Sequence, residues 1–296
     1  RRGASTEATP VSMGTLANAA GRPIAAIGGA VLACAALGCP GAGPAVPQPE
    51  VALEVPRLDA AASEPAPPGV RFGRVPAARG ARSLVTTRAE SRAEDPGGGE
   101  QISTYVSEVE VEVLGVEGGA PSRVALSFRT NTLGYQGEDK PTAIHGKRYV
   151  LDRAAPFVRD VQGQAASEEE AQRVLDVFPD LGTRARVDEV LPDAPMQIGE
   201  RRDELGGALL RVVHPRAWTL EKGTATLARA DAERAAFAVT LAASSERGIR
   251  MDVSGEAEVR LRDSALVHLV LTGSYLEPGA AAGAAPGRFR VERTVR

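Results

Sequence analysis

A chain of 296 residues with 43% hydrophobic and 25% charged residues has the composition of a folded protein, which excludes wholesale disorder. Its net charge of −3 supplies no basic field for nucleic acid. Only one stretch is apolar enough to consider for a membrane, which excludes a polytopic membrane protein. Arginine outnumbers lysine 32 to 3 and only two residues are Asn, a bias that reads as GC-rich coding rather than phosphate recognition.

The amino-terminal part reads as an address. Met13 is the expected translation start. One cation, Arg22, precedes the uncharged, mostly apolar run Ile24–Gly38. A membrane-spanning helix needs about 20 apolar residues, and Gly28, Gly29 and Pro40 weaken this shorter run further. Residues 1–38 are therefore expected to be a secretory signal peptide. Both cysteines lie here, at Cys34 and Cys39, so no disulfide can form beyond them. Ala36-Leu37-Gly38-Cys39 resembles a bacterial lipobox, whose cysteine is diacylated, and Cys39 is the expected lipidation site. Val31-Leu32-Ala33-Cys34 resembles it nearly as well and makes Cys34 the alternative; plain secretion after Ala33-Cys34-Ala35 is the other reading. Residues 39–70 carry eight prolines between Pro40 and Pro68, the composition of an extended tether.

Residues 71–296 are expected to form one β-rich domain. Alternation with period two marks strands near 82–91, at Val109, Val111 and Val113, and at Val124, Leu126 and Phe128. Gly118-Gly119-Ala120-Pro121 reads as a loop and Gly134-Tyr135-Gln136-Gly137 as a turn. Strands follow near 147–152 and 156–161. Ser167 and Glu170 form a capping box, and Ala171, Val174, Leu175 and Phe178 continue at helical spacing toward a stop at Gly182. A second helix is expected from about Arg201 to Val213, ended by Pro215. Strands resume near 222–229, at Phe237, Val239 and Leu241, from Ile249 to Leu261, from Val267 to Tyr275, and at Phe289, Val291 and Val295. One face of each is apolar and the other polar, as in an antiparallel sheet with one wet face. The class is α+β dominated by antiparallel β: a curved sheet or half-barrel with a helical insertion around residues 167–213. Parity predicts a hairpin with a three-residue loop, Asp263 to Ala265, that sets Gly255 opposite Gly273 and creases the sheet there.

The strings HGKRYVLDR (145–153), VQGQAASEEE (161–170), LPDAPMQIGE (191–200) and VSGEAEVRLRDSALVHLVLTG (253–273) carry a resemblance. They are similar to a pattern in uncharacterised envelope proteins of Gram-negative bacteria, many of them lipoproteins. There a G-K-x-Y strand, an LP-x-x-P-V-x-V-G-E turn and an sG-x-x-x-V strand recur in that order. Met196 and Ile198 stand here where valines are usual. The resemblance covers roughly residues 100–275 and implies a cell-envelope location and a curved-sheet fold.

No signature of catalysis or of a cofactor is present: no G-x-S-x-G, S-x-x-K, P-loop or dinucleotide fingerprint. His145, His214 and His268 are scattered and read as structural rather than metal-binding. Glu168, Glu169 and Glu170 suit a helix start. Asp176 and Asp180 could pair for glycoside chemistry only if the fold brings them together. Trp218, Tyr135 and Tyr275 are the aromatics best placed for a rim. The expected protein is a lipid-anchored, non-catalytic envelope protein, on the periplasmic face of the outer membrane or soluble in the periplasm or outside. It is expected to hold an apolar or amphipathic ligand, such as a lipid, on a concave sheet face. Candidate ligand-facing residues are Phe128, Phe237, Met251, Val253, Gly255, Gly273 and Tyr275, with the small residues leaving room. The alternative is a structural or protein-interaction module whose core is self-filled.

Overall fold

The computed structural model describes residues 69–94, 99–153, 158–178, 181, 187–213, 218–278 and 285–296. Cys34, Cys39, nearly all of the expected tether, Asp180, Gly182, His214 and Pro215 lie outside the described residues. Among the described residues the chain forms strands β1 (Arg82–Glu94), β2 (Glu100–Glu117), β3 (Ala120–Tyr135), β4 (Glu138–Pro141), β5 (Arg148–Asp152) and β6 (Arg159–Asp160). Helices α1 (Glu168–Val177) and α2 (Val187–Val190) follow. Then come β7 (Arg201–Arg202), α3 (Asp203–Val213), β8 (Trp218–Ala230), β9 (Arg234–Ser245), β10 (Arg250–Arg260), β11 (Ala265–Leu276) and β12 (Gly287–Val295).

All strands join one open, curved antiparallel sheet, not closed into a barrel. Its order is β6-β5-β3-β2-β1-β12-β11-β10-β9-β8-β7, with β4 added to β3. The expected class is therefore correct. The order also explains the helices. Strand β6 lies at one edge and β7 at the other, so the segment between them must cross the sheet. It crosses on the apolar face, because α1 and α3 are amphipathic and bury their apolar sides there.

Two hydrophobic clusters lie on this inner face. The smaller joins Val85, Val109, Val111, Val124, Leu126, Phe128 and Tyr149 to Val174 of α1. The larger spans β8 to β12 and takes in Val187 of α2 and Leu205, Ala208, Leu209 and Leu210 of α3. The outer face is wet and ladders arginines against glutamates. Arg129 meets Glu108 and Glu110, and Arg229 meets Glu256 and Glu258, all within 3.4 Å. His268 belongs to this face, with Nε2 3.5 Å from Glu292.

Local chemistry accounts for the expected landmarks. The Ser167 capping box closes as anticipated, and the acidic first turn of α1 faces the positive end of the helix. Gln136 and Gly137 both take positive φ in the two-residue turn between β3 and β4, as tight hairpin turns of this kind require. Some boundaries differ. Ala120 and Pro121 belong to β3 rather than to a loop, and Arg201 and Arg202 pair with β8 before α3 begins. Val70, expected as the last tether residue, pairs with Met196 in both directions at 2.7 and 2.9 Å.

The β10–β11 hairpin corrects the expected register. Faces are kept: Met251 opposes Tyr275, Val253 opposes Gly273 and Ala257 opposes Leu269. The ladder is displaced by two residues, however, and Gly255 opposes Leu271 rather than Gly273. The reason lies outside the hairpin. Leu261 donates its N–H to the Glu233 carbonyl and accepts from the Gly73 N–H, so it cannot pair with Val267. A four-residue turn, Leu261–Ser264, results, with Ser264 at φ 56° and its hydroxyl donating to the Gly73 carbonyl. A bulge between Glu258 and Val259 absorbs the mismatch.

Candidate functional site: the inner face of the sheet

Six of the seven candidate ligand-facing residues come together on the β9–β11 part of the inner face. Phe237, Met251, Val253 and Tyr275 are buried in the larger cluster, and Gly255 and Gly273 lie among them. Phe128 is buried in the smaller cluster, where its ring meets Tyr149 edge-on at 6.1 Å. The glycines do not leave room, contrary to expectation. A Cβ on Gly255 would overlap the carbonyl oxygen of Val270 on the paired strand. A Cβ on Gly273 would sit 2.8 Å from the Phe289 ring, which lies across it from β12. Glycine is needed here for close strand approach, with the Asp252 carbonyl and the Phe289 ring taking the space at Gly273.

Helix α3 covers this region from the β8 side. Gly206 brings it close: a Cβ there would be 3.0 Å from backbone atoms of Gly223 and Thr224. Helix α2 and the loop after it are held by the segment that enters the domain. Arg74 donates to the carbonyls of Asp188 and Leu191 and pairs with Asp193 at 2.9 Å. Carbonyls at a helix end lack partners of their own, so an arginine there satisfies them.

Between the two clusters the inner face is polar. One register row runs Asn131, Ser107, Thr87, Arg293, Leu269, Ala257, Phe237 and Leu227, polar as far as Arg293 and apolar beyond it. Asn131 Nδ2 donates to the Tyr105 hydroxyl at 3.0 Å and to Ser107 Oγ at 3.2 Å, and its Oδ1 accepts from Thr142. His145 supports the same knot, its Nδ1 accepting from the Asn131 N–H. Burial raises the pKa of Tyr105. Burial also lowers that of Arg293, to about 10. Sequence reasoning missed this seam. The signal was present, since Arg293 occupies an inward phase between Val291 and Val295.

At the far end, Glu170 joins α1 to the sheet. Lys147 Nζ lies 2.5 Å from its carboxylate, and this contact, with the Ser167 backbone N–H next, lowers the Glu170 pKa to about 2. Burial and then the nearby Glu170 carboxylate raise the pKa of the Tyr149 phenol. Of the other aromatics singled out, Tyr135 is exposed and Trp218 is packed against the larger cluster.

Architecture and site together define an open, curved antiparallel sheet that carries helices on its apolar face. No protein-family model matches the chain, and no curated protein matches it. Among solved structures it is similar to lipovitellin, described for its lipid–protein interactions, at 8% identity and a TM-score of 0.38. That likeness covers 74% of this chain, which spans only 25% of the lipovitellin chain. DynF of the dynemicin biosynthesis pathway of Micromonospora chersina is similar at 8% identity and a TM-score of 0.21, over 79% of this chain and 92% of that one. A LolA superfamily protein of Nitrosomonas europaea is similar at 8% identity and a TM-score of 0.20, over 77% and 88%. No helix among the described residues is long and apolar enough to cross a membrane.

Proposed function

We propose that this is a lipid-anchored, non-catalytic protein of the cell envelope that holds an apolar or amphipathic ligand on the inner face of its sheet. One observation carries the reading. Among the described residues the apolar face of β8 to β12 is covered by no second sheet but by Phe72 of the entering segment, the loop residues Leu191 and Met196, and two short helices of the crossing connection, of 4 and 11 residues in α2 and α3. Helices this short have little stability of their own. Moving them aside exposes a continuous apolar surface while the sheet ladder stays intact. Ligand pockets are commonly apolar surfaces of this kind with a few polar groups placed among them. The lipobox-like run ending at Cys39 and the proline-rich segment after it support an acyl anchor and a tether. One acyl chain anchors marginally and two or three hold firmly. The periplasmic face of the outer membrane is the location this favours.

A second reading, a self-filled interaction module, has its own support: Phe237, Met251 and Val253 are already buried by the protein's own side chains. Native mass spectrometry of the full chain, extracted gently from membranes, separates the two. A co-purifying lipid or other apolar molecule is the expected result. A chain that carries only its own mass and binds no added apolar probe would leave the self-filled reading.

A further inference from the structure

Several arginines on the outer face find carboxylates, and so does Arg202, which lies opposite buried Ala225; among the described residues Arg293 on the inner face does not. Arg129, Arg229, Arg234 and Arg260 each have a carboxylate oxygen within 3.4 Å. Arg293 is partly buried near the middle of the sheet, on β12 beside Thr87 of β1 and Leu269 of β11. Among the described residues no carboxylate pairs with it, and its one hydrogen bond reaches the Val212 carbonyl of α3 at a long 3.4 Å. Two titratable groups are linked to it electrostatically: the Tyr105 phenol, which feels the charge of Arg293, and Asp176 of α1, which in turn acts on Tyr105. Gln172 holds Asp176 on its own helix at 2.8 Å.

Taking a cation out of water without a partner is costly, and 38 acidic residues were available to supply one. A guanidinium has five N–H donors in a planar fork, matched to two oxygens of a carboxylate or phosphate. Here one donor is engaged, and weakly. The placement is specific too. On one side of Arg293 the register row is polar, Thr87, Ser107 and Asn131; on the other it is Leu269, Ala257 and Phe237. That is a head-and-tail division laid out along one row of the sheet.

We propose that Arg293 is the headgroup site of the inner face and takes the carboxylate or phosphate of an anionic amphiphile whose tail lies along Leu269, Leu271 and Phe237. This rests on the reading of the inner face as a ligand surface and narrows its ligand from any apolar molecule to an anionic one. The tail displaces the side chains that cover these strands, Phe72 on Phe237 among them, and the head replaces the weak bond to Val212.

The test uses the delipidated full chain and three probes in titration calorimetry: oleate, oleyl alcohol and inorganic phosphate. Oleate is expected to bind at least about tenfold tighter than the alcohol, and phosphate alone to bind far more weakly than oleate. In Arg293→Met oleate should fall to the level of the alcohol while the alcohol is unchanged. Arg293→Lys should retain part of the preference, since it keeps the charge but loses the fork. Melting curves of both variants, expected at or above wild type, establish that they fold. Equal binding of oleate and alcohol by the wild type, or oleate binding untouched in Arg293→Met, overturns the headgroup site alone. Arg293-dependent binding of phosphate as tight as that of oleate overturns the amphiphile and leaves a free-anion site. Failure of both oleate and the alcohol to bind overturns the underlying ligand reading as well.

Discussion

Alanine at Gly255 is the sharpest probe of how this sheet is built. The added Cβ would overlap the Val270 carbonyl oxygen and lie 2.9 Å from Leu271 Cα. Both are backbone atoms of the neighbouring strand, so no rotamer change relieves the contact. Nor can β10 shift the other way, because Gly255 is also paired with Val239 on β9. Strand β11 must retreat in mid-ladder. Overpacking of this kind costs about 1–3 kcal/mol. Each weakened ladder hydrogen bond adds up to about 1 kcal/mol. With two such bonds the range is about 1–5 kcal/mol, so Gly255→Ala should lose about 3 kcal/mol, its middle. For a domain of this size that lowers Tm by about 10 °C. Urea denaturation followed through Trp218, the single tryptophan, which packs against the larger cluster, measures the loss directly. A variant within about 0.5 kcal/mol of wild type would show that β10 and β11 do not approach so closely. The displaced register, and the view that the glycines are filled rather than open, would fall with it.

Three further outcomes are expected. Gly206→Ala and Gly207→Ala remove the same helix-weakening glycine, but only Gly206 lies against the backbone of β8; Gly207 meets side-chain atoms at 3.4 Å or more. Gly207→Ala should therefore gain up to about 1 kcal/mol in chemical denaturation while Gly206→Ala is about 1–3 kcal/mol less stable than it, and equal stabilities would mean that α3 is not seated on β8. The Glu170 pKa is lowered on folding, so its contribution is fully present above its ordinary value of 4.5 and is lost as pH falls toward about 2. With Lys147 half exposed, Glu170→Gln should cost only about 1 kcal/mol at pH 7 and clearly less near pH 2; an unchanged loss across that range, by urea titration, would refute the pairing. Cys39→Ala should abolish labelling by a fatty-acid probe and release the protein from membranes while Cys34→Ala leaves both intact; label persisting in Cys39→Ala would move the anchor.

What the sequence made legible was what neighbouring residues decide. Ser167 and Glu170 satisfy each other within one helical turn, so the start of α1 needs no tertiary information. The alternation from Ile249 to Leu261 places Met251, Val253, Ala257 and Val259 inward because a strand has only two faces. The register of that strand was not legible, because Gly73 and Glu233 capture Leu261 from elsewhere in the chain. Helix α2 and strand β7 have four and two residues, too few for any periodicity to show. The glycines misled for a related reason. Absence of a side chain reads as space in a sequence, whereas in the sheet a neighbouring carbonyl or aromatic ring takes that space. Arg293 was the reverse case: a charge standing in the apolar phase of β12 was visible, and only its lack of a carboxylate partner needed coordinates.

The stability of the cover and that of the sheet have different sources, and this bears on access to the inner face. Long strands such as β2, β3, β9, β10 and β11 are each paired on both sides, so the ladder opens only by losing many bonds together. Among the described residues the cover is tied by contacts such as the Ser167 capping box, Lys147 on Glu170, Arg74 on the carbonyls of Asp188 and Leu191, the Val70–Met196 bridge, and the bonds of Gly199 and Glu200 to Leu227. Each contributes about 1 kcal/mol. Apolar burial by α2 and α3 adds to these, and an apolar ligand taking the same surface would replace that term. The exchange then costs mainly the tying contacts, far less than melting the sheet. Two of them involve the segment that enters the domain, Val70 as the last residue of the expected tether and Arg74 just beyond it. What holds the cover down is therefore, in part, the stretch of chain by which the domain would be suspended.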